Sequence, residues 1–465
     1  MINKQIKNAF SLIIFGASGD LAKLKLFPAL YALAEQELFP ASYQIIGYAR
    51  SKKSQSEFLH DFETSIKQNV KNYKRKTLNK ILSHISYVSG QYDKIEDYQT
   101  LRKQIKYSRT LAYFSVPPQA FKDIIENLGK TKTEKNEDLR LILEKPFGKD
   151  TASAKELFHF VARYFDEEQV YLLDHYLGKS AVQSILHLRH SNRLLNLMMK
   201  GPEVANIQIT ASETLGVDKR VSYFEKVGTL KDMFQSHLLQ ILALITMSIP
   251  ITEDTASIHR EKTNILSALQ FKKSANNIAL GQYENYRNKK DVPNSSKTET
   301  FAALKFFIDR ESWYKTPIYI RSGKKLAKKE TYVTIEFKKF AFQAKYEEPN
   351  RLIIELQPKE QITLRLINKH GASSRHQTIQ TTDSIACKGN NCLPEHSQLL
   401  IDVIQKQKMH FLCFPEIIAS WGVTDEISKF IKKNEISPES YRQGSKGPSS
   451  QAKITSQDGF KWFEL

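Results

Sequence analysis

The sequence predicts two domains of different class: an N-terminal α/β domain on a doubly wound, mainly parallel sheet, and an α+β domain on a large, mainly antiparallel sheet. Three observations carry this reading. Short apolar runs alternate with helix-like stretches as far as Leu173, the rhythm of successive βαβ units. The first run, Ser11 to Phe15, passes through Gly16-Ala-Ser-Gly19 straight into an apolar-periodic segment, which reads as strand, tight turn and helix. Beyond about residue 178 the strand-like runs follow one another between turn residues with few crossover helices, and this favours antiparallel pairing. The expected domains are residues 1–177 and 178–465.

The first strand is expected over Ala9 to Phe15. Gly16 and Gly19 let the backbone turn and approach a ligand with no side chain in the way. Free N–H groups at the helix start would then face phosphate oxygens. The spacing departs from the three-glycine dinucleotide fingerprint, so a Rossmann-like domain and an ordinary strand–turn–helix corner both stand at this point. The helix carries Leu21, Leu24, Phe27, Leu30 and Tyr31 at near-helical spacing. A second strand, Tyr43 to Ala49, ends at Arg50, where NAD sites commonly place an acidic residue for the ribose diol. Arg50, Ser51, Lys52 and Lys53 favour NADP over NAD, because a guanidinium clamps a 2′-phosphate that a carboxylate would repel. Further strands are expected at Arg109–Val116, Arg140–Glu144 and Val170–Leu173, with helices over Gln119–Asn127 and 150–165. In the second domain, helices are expected over Val182–Leu197 and Thr229–Ile249, and strands at Val204–Thr210, Thr331–Phe337, Arg351–Leu356 and Ile362–Ile367.

Composition narrows the class. A chain of 465 residues, 41% hydrophobic, can bury a substantial core, yet no apolar run approaches the ~20 residues of a membrane span. Cys387, Cys392 and Cys413 lack paired spacing, so no disulfide framework or structural metal site is indicated and a reducing cytoplasm fits. The net charge of +19 attracts polyanions without being a nucleic-acid signature; anionic small substrates are a simpler use for local positive charge.

Four constellations can carry chemistry. Glu144-Lys-Pro-Phe-Gly148 follows an expected parallel strand, placing Lys145 where ligands collect in open α/β sheets; a surface lysine beside a packed turn is the plain alternative. Asp174-His-Tyr-Leu-Gly-Lys179 packs carboxylate, imidazole, phenol and ammonium into six positions. His175, Tyr176 and Lys179 can hold a dianionic phosphate, while a metal site or a polar surface turn remains open. In Thr229–Gln240, Asp232 and His237 lie five positions apart and do not stack on one α-helical face, whereas Asp232 and Ser236 do. A lone histidine in an apolar helix is usually a packed core residue. His237 gains interest from Asp174, a carboxylate that can select its tautomer, so that the imidazole removes a proton from a sugar hydroxyl. Finally, Pro317–Lys329 offers Lys324 and Lys329, with solvent exposure the plain reading for every lysine there.

Together, Gly16-Ala-Ser-Gly-Asp-Leu-Ala-Lys23, Glu144-Lys-Pro-Phe-Gly148, Asp174-His-Tyr-Leu-Gly-Lys179, Gln235-Ser-His-Leu-Leu-Gln240 and Arg321-Ser-Gly-Lys324 resemble, in order and spacing, the glucose-6-phosphate dehydrogenase family. The resemblance runs nearly end to end. It implies oxidation of β-D-glucose 6-phosphate at C1 to 6-phospho-D-glucono-1,5-lactone, with NADP as acceptor and no metal. By motif position, His237 is the general base and Asp174 its orienting carboxylate. His175, Tyr176 and Lys179 bind the substrate phosphate; Glu213, Asp232, Lys324 and Lys329 hold sugar hydroxyls or neighbouring groups. Lys145 reaches toward both substrate and cofactor, and Gly16, Ser18, Gly19, Asp20, Lys23, Arg50, Tyr113 and Pro117 face the cofactor. A homodimer or homotetramer is implied. The chain departs from the family's pattern at Ser236, where asparagine is usual, at Tyr223-Phe-Glu225, at Leu197-Met-Met-Lys200 and at Glu355, where a basic residue is common. A dehydrogenase of altered sugar-phosphate preference and a noncatalytic dinucleotide-binding protein are the competing readings.

Overall fold

The computed structural model describes residues 5–132, 138–252, 254–340, 348–369, 376–385 and 392–465. They form two compact units, Met1–Lys179 with Cys387–Phe414, and Ser180–Ala386 with Pro415–Leu465.

The first unit holds β1 (Phe10–Phe15), β2 (Tyr43–Ala49), β3 (Ile85–Ser89), β4 (Thr110–Phe114), β5 (Leu139–Glu144) and β6 (Val170–Leu173). They pair in parallel in the order β3-β2-β1-β4-β5-β6, the doubly wound order whose direction reverses between β1 and β4. Every residue of β1, β2 and β4 is buried, because helices cover both faces and leave no polar alternation to read. The sequence reading missed β3. It is an edge strand, Ile-Ser-Tyr-Val-Ser, mostly half-buried, so it carries neither an apolar run nor a clean alternation.

The helix after the glycine turn also differs from expectation. Ala22–Leu26 winds as a π-helix before the α-helix Phe27–Glu35 begins. The wider i→i+5 turn shifts the side-chain register, so Leu24 is 55% exposed while Phe27, Leu30 and Tyr31 are buried.

The late segment in this unit brings the helix Glu395–Ile404 against Phe27–Glu35, where Ser397 Oγ donates to the Ala29 carbonyl at 2.9 Å. Leu399, Leu400, Ile401, Val403 and Phe411 join one core with Leu12, Ile142 and Tyr171. Arg140, 2% exposed on β5, donates to the carbonyls of Val403 and Ile404 at the end of that helix, and to both oxygens of Asp138. The sequence reading placed every residue after 177 in the second domain; sequence adjacency hides this return. Cys392 is disulfide-bonded, against the expectation from cysteine spacing, and Cys413 is a buried thiol outside any disulfide.

The second unit holds β7 (Val204–Ser212), β8 (Leu269–Phe271), β9 (Ile278–Tyr283), β10 (Phe301–Ile308), β11 (Ile318–Gly323), β12 (Glu330–Phe337), β13 (Arg351–Gln357), β14 (Gln361–Lys369), β15 (His376–Ser384) and β16 (Glu439–Tyr441). They make a ten-stranded sheet, β15-β14-β13-β12-β7-β11-β10-β9-β16, with β8 on β10. Only β7 with β11 and β9 with β16 run parallel among these described pairings, so the expected antiparallel character holds. The helix expected over Val182–Leu197 divides into Ser180–Ser191 and Arg193–Met198. The one expected over Thr229–Ile249 is a π-helix, Leu230–Leu238, continued by the α-helix Leu239–Thr246. No helix among the described residues is long and apolar enough to cross a membrane.

Arg140→Met would leave the buried Ile404 carbonyl without its donor and take the most buried cation from Asp138, which keeps Arg109 and Lys406. It is expected to destabilise the first unit by about 3 kcal/mol, measured as a lower midpoint in urea unfolding. Arg140→Lys keeps a single hydrogen-bonding ammonium and should recover part of that loss.

Candidate active site

At the carboxyl edge of the first sheet, Gly16 has φ +80°, and its N–H donates to the Tyr48 carbonyl at 2.8 Å. A Cβ there would stand 2.1 Å from the Ser115 carbonyl oxygen, so both conformation and space demand glycine. Gly19 N–H closes the turn on the Gly16 carbonyl at 2.9 Å. Ser18 Oγ lies 3.2 Å from Ser51 Oγ, tying the turn to the end of β2. Arg50 is exposed there, its guanidinium 5.4 Å from the Tyr92 ring centroid. Lys23 is not a bare cation: its ammonium pairs with Asp61 at 3.2 Å, and Lys53 pairs with the same oxygen at 2.5 Å. Although burial raises the Asp61 pKa, hydrogen bonds from Lys53 and Lys23 bring it below the ordinary carboxylate value. Asp20 and Pro117 are exposed at the same edge.

Tyr113, buried at the end of β4, donates its hydroxyl to Glu144. Burial first, and then the Glu144 charge, push its pKa well up, so it stays a donor. His396 Nε2 lies 3.7 Å from the same carboxylate. Lys145 follows Glu144 and is half-buried.

Asp174 begins the turn after β6 and is 1% exposed. Its Oδ1 accepts from Tyr176 N–H at 2.9 Å, and Leu177, Gly178 and Lys179 N–H groups donate to the carbonyls three residues earlier at 3.0–3.2 Å. This tight winding gathers the side chains: Lys179 Nζ stands 3.8 Å from the Tyr176 ring centroid, with the His175 ring 5.1 Å from the same ring. Gly178 packs closely on the late segment: a Cβ would lie 2.8 Å from Leu399 Cδ1, which would have to shift. A cation, an imidazole and a phenol within six residues suit a phosphate dianion.

In the second unit, Lys324 is buried, which sets aside solvent exposure, the plain alternative for the lysines of this stretch. Its Nζ lies 2.5 Å from Glu213 Oε2, 3.4 Å from Asp232 Oδ2, and 5.2 Å from the Phe224 ring centroid. Arg220 approaches Asp232 Oδ1 at 3.6 Å. Arg220 escaped the sequence reading because no motif contains it. Lys329 is exposed at the entry to β12, and among the described residues no ion pair joins it to this group. His237 is 3% exposed on the π-helix that carries Asp232. An i→i+5 helix holds more residues per turn than an α-helix, so residues five apart diverge less than they do in an α-helix. The α-helical expectation that Asp232 and His237 diverge is therefore corrected: the wider winding brings them toward one face.

The model of the glucose-6-phosphate dehydrogenase NAD-binding domain matches residues 13–184, and that of the C-terminal domain of the same family matches residues 186–463. The chain belongs to the glucose-6-phosphate dehydrogenase family. It is 36% identical to a cytoplasmic glucose-6-phosphate 1-dehydrogenase of Arabidopsis thaliana, over 97% of this chain and 92% of the relative. A solved glucose-6-phosphate dehydrogenase in complex with glucose 6-phosphate superposes with TM-score 0.92 at 30% identity, covering 99% of each chain. The enzyme from Mycobacterium avium gives TM-score 0.87 at 28% identity, covering 98% of this chain and 99% of its own. Relatives from this dehydrogenase family carry both cytoplasmic and chloroplastic names.

Gly16→Ala is expected to destabilise the chain by about 1–3 kcal/mol through its strained backbone and to abolish dinucleotide binding. Differential scanning calorimetry and quenching of protein fluorescence by added NADPH would show the two effects.

Proposed function

We propose that this family member oxidises β-D-glucose 6-phosphate at C1 to 6-phospho-D-glucono-1,5-lactone, with NADP as hydride acceptor. The observation that carries the reading is the match to both domains of the family over residues 13–184 and 186–463. The dinucleotide fits the first unit's residues: a glycine turn at the sheet's reversal point, Ser18 and Ser51 beside it, and an exposed Arg50 guanidinium suited to a 2′-phosphate. NADP, when bound, supplies the redox chemistry.

The protein's own task is to place and deprotonate the sugar. His175, Tyr176 and Lys179 take the phosphate, and binding energy spent there orients a distant reacting carbon. Glu213, Asp232, Lys324 and Lys329 are assigned to the sugar hydroxyls and their neighbours, and Lys145 to the region between sugar and cofactor. His237 accepts the C1 hydroxyl proton on an imidazole nitrogen as the C1 hydride leaves, while Asp174 orients that imidazole and stabilises its charged form. A cytoplasmic location is supported by the names of several relatives, and a homodimer or homotetramer follows the family resemblance.

The test is NADPH absorbance over a panel of hexose phosphates. Glucose 6-phosphate is expected to give the highest kcat/KM; stronger turnover of another sugar phosphate would replace it as substrate. His237→Asn is expected to lower kcat by at least about 100-fold with NADP binding intact. Asp174→Asn is expected to add little to that loss, because the pair acts as one device. Arg50→Ala should lower kcat/KM for NADP by roughly 10–100-fold, the loss of a charge-assisted pair, and leave the NAD reaction nearly unchanged.

A further inference from the structure

The π-helix Leu230–Leu238 is capped from outside. Glu299, in the connection before β10, receives the Leu230 N–H on Oε1 at 3.0 Å. Its carbonyl receives the Thr229 N–H at 3.0 Å and the Thr229 hydroxyl at 3.2 Å. Gly228, just before, has φ +61°, and a Cβ there would stand 2.3 Å from Glu299 Oε1. The glycine therefore clears the space the carboxylate occupies.

The residues on either side fix Glu299 in turn. Thr298 Oγ donates to the Glu225 carbonyl at 2.9 Å, and Thr300 N–H donates to the Gly281 carbonyl at 2.8 Å. The Thr300 carbonyl accepts the Lys324 N–H at 2.9 Å, and the Tyr441 hydroxyl donates to the Lys324 carbonyl at 2.6 Å. Three consecutive residues thus grip both the start of the π-helix and the backbone of Lys324.

We propose that Glu299 is a positioning residue for the dehydrogenase reaction: its carboxylate holds the first turn of the π-helix and thereby sets Asp232 against Lys324 and fixes the winding that carries His237. The assignment rests on the function proposed above. An ionised acceptor on a helix-start N–H binds more strongly than a neutral one and answers the positive end of the helix dipole.

Glu299 is half-buried, which makes its charge costly. Burial pushes the Glu299 pKa up to about 7, against the lowering effect of the Leu230 N–H, its own backbone N–H and Lys231, with Glu225 adding a smaller upward push. Glu225, on the neighbouring helix, is itself held by the Tyr286 hydroxyl at 2.7 Å. Between the ordinary 4.5 and about 7 the folded chain binds the extra proton, so this group's contribution to stability is full at low pH and is lost as pH rises through that window. A purely structural cap and a positioning charge then differ in what Glu299→Gln does, because glutamine keeps an acceptor oxygen and the size but never ionises.

Glu299→Gln, in the full-length enzyme at pH 8, is expected to melt at a higher temperature than wild type while kcat falls about 10-fold through misplacement of the reacting groups. KM for NADP should not move. The rise in kcat that accompanies Glu299 ionisation should be missing from the pH profile of Glu299→Gln. Unchanged kcat, or a melting temperature that falls together with kcat, overturns the proposal. Wild-type turnover is measured first: its absence overturns the dehydrogenase reading and this proposal with it, whereas an active wild type with an indifferent Glu299→Gln overturns this proposal alone.

Discussion

The widened winding of Leu230–Leu238 is the constraint on which the second unit's chemistry hangs. An α-helix in its place would turn the side chains at 232 and 237 to different faces, because five residues overshoot one α-helical turn. A π-helix lacks the tight packing of an α-helix, and something outside must hold it open. Glu299 holds one end, Lys324 pulls on Asp232 partway along, and the α-helix Leu239–Thr246, buried throughout, extends the other end into the core. The first unit repeats the device on a smaller scale. Ala22–Leu26 is π-helical directly after the glycine turn, and Ser65, on the helix Gln55–Asn69, donates its hydroxyl to the Lys23 carbonyl within it.

Charge in this chain is managed locally. The overall excess of +19 says little about the sites, where cations meet carboxylates in small closed groups: Lys23 and Lys53 on Asp61, Lys324 between Glu213 and Asp232. The same logic operates in the core. Lys262 and Glu416, 1% and 0% exposed, pair at 3.0 Å, and the Lys262 ammonium also reaches Gln240 Oε1 at 3.3 Å. Removing either partner of such a pair leaves an uncompensated buried charge, so both are locked in by their burial. Arg50 differs in kind. It is exposed and rests near an aromatic face, which leaves a planar guanidinium oriented at the edge of the sheet where a phosphate can be met.

Much of the fold was legible because its signals are local. Tyr43–Ala49 and Val170–Leu173 coincide with β2 and β6, since short apolar runs between turn residues have few other uses. β10, Phe-Ala-Ala-Leu-Lys-Phe-Phe-Ile, escaped for the opposite reason: a nearly continuous apolar run carries no period to separate strand from buried helix. The candidate site divides along the same line. Gly16, Asp174 and Lys324 sit in compact motifs and could be singled out one by one. Arg220 and Glu299 act through residues distant in sequence and stand among ordinary polar neighbours, so no spacing pointed to them. The π-helical register was also invisible, because hydrogen-bond winding leaves no mark in a pattern read at the α-helical period.

The first unit closes only with Cys387–Phe414, which supplies Leu399, Ile401, Val403 and Phe411 to a core otherwise drawn from residues between Ile6 and Leu173. On the ribosome, those core positions stay vacant until synthesis has passed them. The nascent sheet must therefore wait with an apolar face uncovered while most of the second unit emerges between its two parts. Such a chain has reason to need chaperone shelter during translation, and its cofactor domain is not a module that can be cut free at residue 179.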